Sequence, residues 1–555
     1  MKSFSRFFRV SFGASVLASF TLVACVSSTP GSVAGASPST GKPHHGGTLT
    51  IAIGTEPPTL NHEASDDTSI TPVQRLIENM LVVENAKSEI VPSLATSWSE
   101  SKNGLTYTIK LRQGVKWSDG VPFTSKDVVY TLEKAPPGSP SISPTFPKVV
   151  KSVKAIGKYV VVITLKHPYA PLLTLLAETF FVMPEHIYGN QTVIKDTQAN
   201  THPIGTGPFI LKQWIPTQKI VLVRNPHYWG ATKKGLPWFN RVVVDIITNP
   251  QTIVDNLLNG TIDYVPTTFL PLTSITQIRK SSCCRVVAIH GTPVFGIMFT
   301  NTARPPFNNL TVRRAVYMAI TRKLVLQDAL AGYGTLPLAP IPPSYGQLYT
   351  PKINLMNQYP YDPAKAAKIL DSAGYPVKNG ERFGKAITLL YTSITGPVST
   401  ETAAIFKSEL AKLTIKVNLV NQDLTSWAAQ TYLKKNFTLS FIGYTTSNDP
   451  ALGGIQKAFA CLPPTPTVEY LNPTGFCNKR VTSLFQAAVT ASTVAGRQRD
   501  YAKAQKVIDS QLPAYEMGWR ETFVAISKRI QNWRVSLLSW GGNFNTTWSQ
   551  AWFSK

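Results

Sequence analysis

The chain has 555 residues, of which 43% are hydrophobic and 10% aromatic, and its formal net charge is +25 although only 15% of its residues are charged. Such a composition excludes disorder as the main state, and the length is ample for a buried core. Nucleic acid is not an expected partner, because the lysines and arginines are scattered singly rather than clustered with stacking aromatic residues. The scarcity of acids leaves three explanations for the charge: an acidic ligand, an anionic envelope surface or an acidic medium. We favour the last two.

The first 24 residues predict a signal peptide of the lipoprotein type. Basic residues precede an uncharged run over residues 10–24, which is shorter than the ~20 residues that a membrane-spanning helix needs. The run ends in Leu22-Val23-Ala24-Cys25, which resembles the lipobox of bacterial lipoproteins. The resemblance implies cleavage before Cys25, acylation of that residue and a mature protein anchored by lipid outside the cytoplasm. An ordinary signal peptide with an incidental cysteine is the alternative.

The next segment, residues 25–45, predicts the lipidated cysteine followed by a flexible tether, since it is rich in Ser, Gly, Ala and Pro. His44 and His45 at its end are interpreted as exposed linker residues rather than metal ligands. No later stretch predicts a membrane span. The apolar run from Leu172 to Met183 is short and interrupted by Glu178, so it predicts a buried helix.

Alternation of apolar and polar residues predicts strands at Thr48 to Ile53, Leu105 to Leu111 and Val160 to Leu165. Between them, Thr124 with Asp127 three residues later predicts a capping box that opens a helix. Strands and helices are therefore mixed, without the period of a repeat protein.

Two further helices are predicted in the second half of the chain. Asn308 or Thr311 is expected to cap the first of them. Asp362 followed by Pro363 predicts the start of the second, and Gly374 predicts its end.

Motifs of catalysis and cofactor binding are missing from the sequence. Gly205-Thr206-Gly207-Pro208-Phe209 lacks the third glycine of a dinucleotide-binding loop, so it favours a tight turn or a close approach of two backbones. Neither Gly-x-Ser-x-Gly nor His-Glu-x-x-His occurs, and Glu185-His186 has no second histidine nearby. We therefore predict no catalytic residues, no metal site and no cofactor.

Four cysteines remain after Cys25, and an exported protein meets an oxidising compartment. Cys461 and Cys477 flank a proline-rich loop and are predicted to form a disulfide, which would contribute ~3 kcal/mol in the chain-entropy model. Cys283 and Cys284 leave three states open: a strained vicinal disulfide, free thiols or an intermolecular link.

Short motifs also follow one another in a characteristic order along the chain. They are Gly46-Gly47-Thr48-Leu49, Glu56-Pro57 with Leu60-Asn61, Pro92-Ser93-Leu94-Ala95 with Trp98, Leu111 to Trp117 with Asp119-Gly120 and Asp127-Val128, Gly205 to Phe209, Asn225-Pro226 with Tyr228-Trp229, Gly260 with Asp263, Arg313 with Ala315, Ala319-Ile320 with Arg322, and Tyr359 to Pro363 with Ala373-Gly374-Tyr375. As an ordered set, these motifs resemble the extracellular solute-binding proteins of peptide and nickel ABC importers, the oligopeptide, dipeptide and nickel-binding group of family 5.

The resemblance implies an α/β fold with two lobes, the periplasmic-binding-protein-like fold of the class II type, with an extra α/β domain inserted in lobe I. Mapped onto this chain, lobe I comprises residues 46–80, 205–290 and 522–555. The extra domain comprises residues 81–204, and lobe II comprises residues 291–521. Crossovers near residues 291 and 521 would serve as hinges.

The resemblance also implies how a ligand is held. In the family, the ligand lies extended in the cleft and pairs through its backbone with both lobes, so that main-chain hydrogen bonds supply affinity. Cys461 and Cys477 match a family disulfide. The implied ligand-binding residues are Trp427, Gly443, Tyr444, Thr445, Thr446, Ser447 and Asp449.

One departure from the family pattern concerns the ligand's amino terminus. Peptide binders of this group place an aspartate a few residues before the Asp-Pro pair, where it holds the ligand's α-ammonium. Thr446 and Ser447 occupy those positions here, which puts recognition of a free amino terminus in question. Asp449 could replace the missing carboxylate, although a structural role is preferred. Lys434 and Lys435 could meet a ligand carboxylate, although exposure to solvent is the preferred interpretation.

We therefore expect a monomeric, lipid-tethered binding protein that captures peptides, or another elongated solute, and delivers them to an ABC permease in the membrane. The first alternative is a non-peptide solute in the same transport role: a nickel complex, haem, an opine or an oligosaccharide. An exported hydrolase and a purely structural envelope lipoprotein are the remaining alternatives.

Overall fold

The structure is a computed structural model that describes residues 41–61, 64, 69–85, 89–134, 146–189, 198–231, 235–350, 352–393, 397–445, 447, 449–461, 471–534 and 548–554. Of residues 134, 198, 290–295, 344, 397, 444 and 445 it describes only the backbone. The predicted signal peptide and lipidated Cys25 lie outside the described residues, as do Thr446 and Asn448. Within the described ranges, no helix combines the length and the apolar character needed to cross a membrane.

The strands are numbered in chain order. They are β1 (Thr48–Ile53), β2 (Val82–Glu84), β3 (Ile90–Pro92), β4 (Ala95–Glu100), β5 (Thr106–Leu111), β6 (Val150–Ala155), β7 (Val160–Leu165), β8 (Phe209–Ile215), β9 (Lys219–Arg224), β10 (Arg241–Ile246), β11 (Tyr264–Val265), β12 (Cys284–Thr300), β13 (Gly334–Thr335), β14 (Ile387–Tyr391), β15 (Val417–Asn421), β16 (Leu439–Thr445), β17 (Ala514–Ser527), β18 (Ile530–Gln531) and β19 (Trp552–Phe553).

The α-helices are numbered in the same way. They are α1 (Thr71–Ile77), α2 (Ser125–Val129), α3 (Phe146–Val149), α4 (Leu172–Glu178), α5 (Glu185–Tyr188), α6 (Pro250–Leu258), α7 (Ile275–Lys280), α8 (Leu310–Ala319), α9 (Arg322–Leu324), α10 (Leu355–Gln358), α11 (Pro363–Ser372), α12 (Pro397–Ala411), α13 (Leu424–Ala428), α14 (Ile455–Phe459), α15 (Lys479–Thr490) and α16 (Val494–Gln511). Short π-helical segments over Tyr130–Lys134, Val325–Ala329 and Ala429–Leu433 continue α2, α9 and α13.

The largest sheet follows the order β15-β14-β16-β12-β17-β11-β1-β10-β9-β8, and β13 also pairs with β17. Strands β12 and β17 are antiparallel partners from the Cys284–Ser527 pair to the Phe299–Ala514 pair. Strand β12 pairs with β16 in one half of the sheet, and β17 pairs with β11 in the other half. The two long strands are therefore shared by both halves, and their register shifts between residues 289 and 294.

Both faces of each half are covered by apolar residues of separate cores. In the half that contains β1, one core includes Leu49, Ile51 and Trp548, and the other includes Val254 and Ile275. In the half that contains β14, the two cores are built around α8, α11 and α12 on one side and around α13 to α16 on the other. Such double burial fixes the position of the strands at the sheet centre.

A second sheet, in the order β4-β5-β7-β6, forms a separate layer with its own core. Trp117, Phe123 and Phe180 are among the residues of that core, which lie between residues 81 and 188 apart from Ala451, Leu452 and Val489. This separate core supports an extra domain in the middle of the first half of the chain. Its exact limits, like those of the lobes, stay predictions.

Several local predictions are confirmed. Strand β1 forms at the predicted residues, and β5 buries Tyr107, Ile109 and Leu111 on one face. The capping box is present, because the Thr124 hydroxyl accepts from the backbone of α2 and the Asp127 carboxylate accepts the backbone N–H of Thr124 at 2.8 Å.

Two helix boundaries differ from the predictions. The residue that caps α8 is Asn309, whose side chain accepts the N–H of Thr311 at 2.8 Å, so neither Asn308 nor Thr311 is the cap. Helix α4 ends at Glu178, whereas the apolar run continues to Met183. The remaining apolar residues of that run are buried without being helical, since burial rather than helical periodicity produces their pattern.

The glycines of Gly205-Thr206-Gly207 lie against the end of α1, as the motif predicts. The N–H of Gly207 donates to the carbonyl oxygen of Ile77 at 2.7 Å. A Cβ atom at Gly205 would overlap that carbonyl oxygen, and one at Gly207 would lie 2.5 Å from the Ile77 carbonyl carbon. Only glycine permits such a close approach of two backbones.

The cysteines pair within the chain. Cys461 and Cys477 form the predicted disulfide, with a sequence separation of 16 residues. Cys283 and Cys284 form a vicinal disulfide, which is one of the three states left open by the sequence.

Candidate functional site

Strand β17 is buried along its whole length except at two adjacent residues, Arg520 and Glu521. Arg520 lies opposite Val294 of β12 and Gly334 of β13, and Val294 lies opposite Thr445 of β16. These four residues form one row across the sheet, at the place where β12 and β17 pass from one half to the other. We call Thr445, Val294, Arg520 and Gly334 the crossover row. Charged residues that reach solvent here indicate an opening between the two halves.

The predicted ligand-lining segment, residues 443–450, begins at the end of β16, and its third residue, Thr445, belongs to the crossover row. Gly443, Tyr444 and Thr445 are the last residues of β16 and pair with β12. Thr446 lies outside the described residues. The hydroxyl of Ser447 accepts the backbone N–H two residues further on, at 3.2 Å. The start of the segment is therefore fixed by the sheet, and a ligand contact by any of these five residues stays a prediction.

Asp449 is only 4% exposed and forms an ion pair with Arg497 of α16. Nη2 of Arg497 donates to both carboxylate oxygens, at 2.8 and 2.7 Å, and Oδ1 also accepts the N–H of Ala451 at 2.9 Å. Burial alone would lower the pKa of Arg497, but the charge of Asp449 raises it above the ordinary value. The two side chains are therefore engaged with each other. This arrangement favours the structural role for Asp449.

Two tyrosines enclose the ion pair. The ring centre of Tyr501 lies 5.8 Å from the guanidinium carbon of Arg497, and the ring is buried. Burial raises the pKa of Tyr501 well above its ordinary value and also raises that of Tyr169, a residue of the extra domain whose hydroxyl feels the charge of Asp449. The pair therefore lies where the Asp-Pro loop meets the extra domain.

The residues after Asp449 pack directly against the extra domain. Ala451 and Leu452 belong to its core, together with Val489 of α15. The N–H of Ala170 donates to the carbonyl oxygen of Val489 at 2.8 Å, which adds a backbone contact. The ligand-lining segment is thus held by the sheet at its start and by the extra domain at its end.

Trp427, the predicted aromatic residue of the cleft, is a fully buried residue of α13. Its ring lies edge-on to Tyr432, with 5.6 Å between the ring centres. In the described part of the chain, its indole Nε1 has no hydrogen-bond partner. The structure places Trp427 in the core formed around α13 to α16, and contact with a ligand stays a prediction.

Several basic side chains lie near this region. Burial lowers the pKa of Lys457 in α14, and Glu178 of the extra domain opposes that effect. Burial likewise lowers the pKa of Arg75 in α1 to about 9, again opposed by Glu178. The charge of Glu178 therefore raises the pKa of both cations against the effect of burial. Lys434 is exposed and Lys435 partly so, which fits the preferred interpretation of these two lysines.

Arg497 and Arg520 do not belong to the predicted set of site residues. Arg497 is 48 positions away from Asp449, and no local pattern connects the two. Arg520 and Glu521, in contrast, interrupt the otherwise mostly apolar stretch from Ala514 to Ser527. Adjacent charges inside such a strand are a signal that could have identified the crossover row.

A family model now identifies the chain. The model for bacterial extracellular solute-binding proteins, family 5 (middle), matches residues 89–463. The chain belongs to this family. The resemblance and the two-lobed α/β fold predicted from it are confirmed.

Relatives of this family 5 protein extend over nearly the whole chain. The glutathione-binding protein GsiB of Salmonella typhi is 28% identical over 493 residues, which cover 87% of this chain and 91% of that protein. The oligopeptide-binding protein AppA from Bacillus subtilis, solved with a nonapeptide, has a TM-score of 0.77 at 23% identity and covers 93% of this chain and 100% of its own. NikZ from Campylobacter jejuni, solved with Ni(L-His), has a TM-score of 0.77 at 24% identity and covers 91% and 99%.

Family membership defines the general role. This family 5 protein is an extracytoplasmic solute-binding protein of an ABC importer, and not an enzyme. Among the described residues, no group of three or more His, Cys, Asp or Glu side chains could hold a metal ion.

Proposed function

We propose that this family 5 protein captures peptides between its two lobes and delivers them to an ABC permease in the membrane. The relatives named above include proteins described as binding glutathione, which is a peptide, and a nonapeptide. A peptide bound by strand addition is held chiefly through its backbone, so the mode suits a site whose side chains differ from those of its relatives.

One observation carries the proposal. The ligand-lining segment leaves β16 in the crossover row and reaches the core of the extra domain at Ala451 and Leu452. The two described ends of the segment are therefore held by different parts of the fold. A ligand bound beside the segment would meet its main-chain groups, and closure of the lobes around that ligand would remove water that competes for hydrogen bonds.

The lobe assignment is part of the same proposal. Lobe I comprises residues 46–80, 205–290 and 522–555, the extra domain residues 81–204, and lobe II residues 291–521. The irregular register of β12 between residues 289 and 294 and the solvent-accessible Arg520 and Glu521 of β17 support hinges at these positions. Acylation of Cys25 would keep the mature monomer at the outer face of the membrane.

Native mass spectrometry of the protein as isolated tests the proposal, followed by calorimetry with short peptides of varied length. We expect a retained peptide, or binding of at least one peptide in the panel. Retention of a nickel complex, haem, an opine or an oligosaccharide, together with no binding of any peptide, would overturn the peptide assignment. Turnover of a bound solute would contradict the binding role itself.

A further inference from the structure

The guanidinium of Arg520 has no partner in the described part of the chain. No hydrogen bond, ion pair or ring contact involves it, and its Nε is buried. Burial lowers the pKa of Arg520, and no acidic group opposes the effect. A cation that has lost part of its hydration without gaining an anion is destabilising. Such a group is a strong candidate for a role in binding.

The neighbouring acid does not neutralise Arg520. Glu521 follows directly in β17, and successive residues of a strand point to opposite faces of a sheet. The strand partners of Arg520 are Val294 and Gly334, which carry no charge. The charge of Arg520, in the crossover row, is therefore not compensated by either neighbouring strand.

The carboxylate that could have replaced the missing ammonium-binding aspartate is already occupied. Asp449 has both carboxylate oxygens on Arg497, and the positions where peptide binders of this family carry an aspartate are Thr446 and Ser447. Within the described residues of the ligand-lining segment, no other acid occurs. The segment therefore offers no free carboxylate, whereas the crossover row offers a free guanidinium.

We propose that Arg520 anchors an anionic group of the cargo, so that this protein selects solutes with a carboxylate rather than solutes with a free ammonium. Arginine suits this role because its planar guanidinium donates two parallel hydrogen bonds to a carboxylate. The inference rests on the proposed peptide function and narrows it to peptides held by a carboxylate, either the carboxyl terminus or an acidic side chain.

Calorimetry with matched peptides tests the inference. One series compares a free with an amidated carboxyl terminus, a second compares Asp or Glu with Asn or Gln in the side chains, and a third compares a free with an acetylated amino terminus. Stranding one partner of a buried charge pair weakens binding by about 30-fold or more. We expect that loss in the first or the second series, which identifies the source of the carboxylate, and little change in the third.

Variants of the protein link this loss to one side chain. Arg520→Gln should weaken binding of the carboxylate peptide by a similar factor and should abolish the preference over its neutral analogue, while Arg520→Lys should retain part of it. Arg285→Gln is the matched control, because Arg285 is also a partly buried arginine of this strand pair with Nε and Nη2 unpartnered among the described residues. It lies opposite Ile526, away from the crossover row. A melting curve for each variant shows that it is folded.

Two outcomes would overturn the inference while leaving the peptide function intact. The first is peptide binding that does not distinguish carboxylate from neutral analogues and is unchanged in Arg520→Gln. The second is a large loss on acetylation that Glu521→Gln reproduces, because Glu521 would then hold an ammonium. Failure of the wild-type protein to bind any peptide would instead contradict the proposed function.

Discussion

At the scale of single residues, the role of a charged side chain in this protein is indicated by its bonding partner and not by the motif in which it lies. Asp449 lies in the segment that resembles a ligand site, yet its carboxylate is saturated by Arg497 and by a backbone N–H. Arg520 lies in no recognised motif, yet its guanidinium has no partner among the described residues. Partners separated by tens of residues cannot be read from local sequence.

The ion pair predicts a large effect on stability. Asp449→Asn should lower the free energy of unfolding by about 3–5 kcal/mol, because it strands the buried Arg497. Equilibrium unfolding in urea measures the change. Glu381→Gln is the matched control, since its partner Lys416, 3.5 Å away, is 65% exposed and the pair should contribute less than about 1 kcal/mol. Equal effects of the two variants would contradict a buried structural pair at Asp449.

At the scale of elements, the parts that the sequence predicted are those defined by neighbours in the chain. Strand β5 follows from alternation, and the capping box of α2 follows from two side chains three positions apart. The N-cap of α8 is Asn309 and not the predicted Asn308 or Thr311. The sequence could not choose between them, because all three side chains can accept a backbone N–H. The crossover row could not be predicted, since it joins four strands that are distant in sequence.

The two disulfides predict different effects on stability. Replacing Cys461 and Cys477 by serine should lower the free energy of unfolding by about 3 kcal/mol, because their bond closes a loop of 16 residues. Replacing Cys283 and Cys284 by serine is the control, since a bond between adjacent residues closes no loop. Urea unfolding of both double variants measures the difference. A larger loss for the adjacent pair would argue against the loop-entropy explanation.

At the scale of the whole molecule, two of the scarce acidic side chains are almost completely buried. Glu516 of β17 and Asp509 of α16 are 5% and 3% exposed. Burial raises the pKa of Glu516 to about 7 and that of Asp509 well above its ordinary value, and the charge of Glu516 adds to the shift of Asp509. Both groups are accommodated best in the protonated form. An acidic medium, which is one of the three explanations for the net charge, would keep both groups protonated.

These acids predict a stability that falls as the pH rises. The folded state binds the Glu516 proton more tightly than the unfolded state, so its contribution is complete below pH 4.5 and is lost as the pH rises through about 7. Glu516 alone should account for about 3 kcal/mol over that interval. Urea unfolding across this pH range measures the slope, and Glu516→Gln should flatten it. A wild-type stability that increases steadily towards neutral pH would contradict the prediction.

The proposed lipid anchor also concerns the whole molecule. Cys25→Ser should release the protein from the membrane fraction or block its processing, because the acyl chains then have no point of attachment. Fractionation of cells that express the wild type and the variant measures the effect. A Cys461→Ser, Cys477→Ser double variant is the control for replacing cysteine by serine elsewhere in the chain. A Cys25 variant that fractionates with membranes as the wild type does would exclude the lipobox.

The order of strands in the largest sheet also has a consequence for the time at which the protein can fold. Strand β17 lies between β11 and β12, yet it begins only at residue 514, whereas β1 begins at residue 48. A chain that emerges from the ribosome amino terminus first therefore contains both halves of the sheet long before the strand that joins them. Contacts between residues so distant in sequence form late and slowly. The largest sheet thus cannot be completed until nearly all of the chain has been made, and a chain whose main sheet is incomplete is better suited to secretion through a narrow channel.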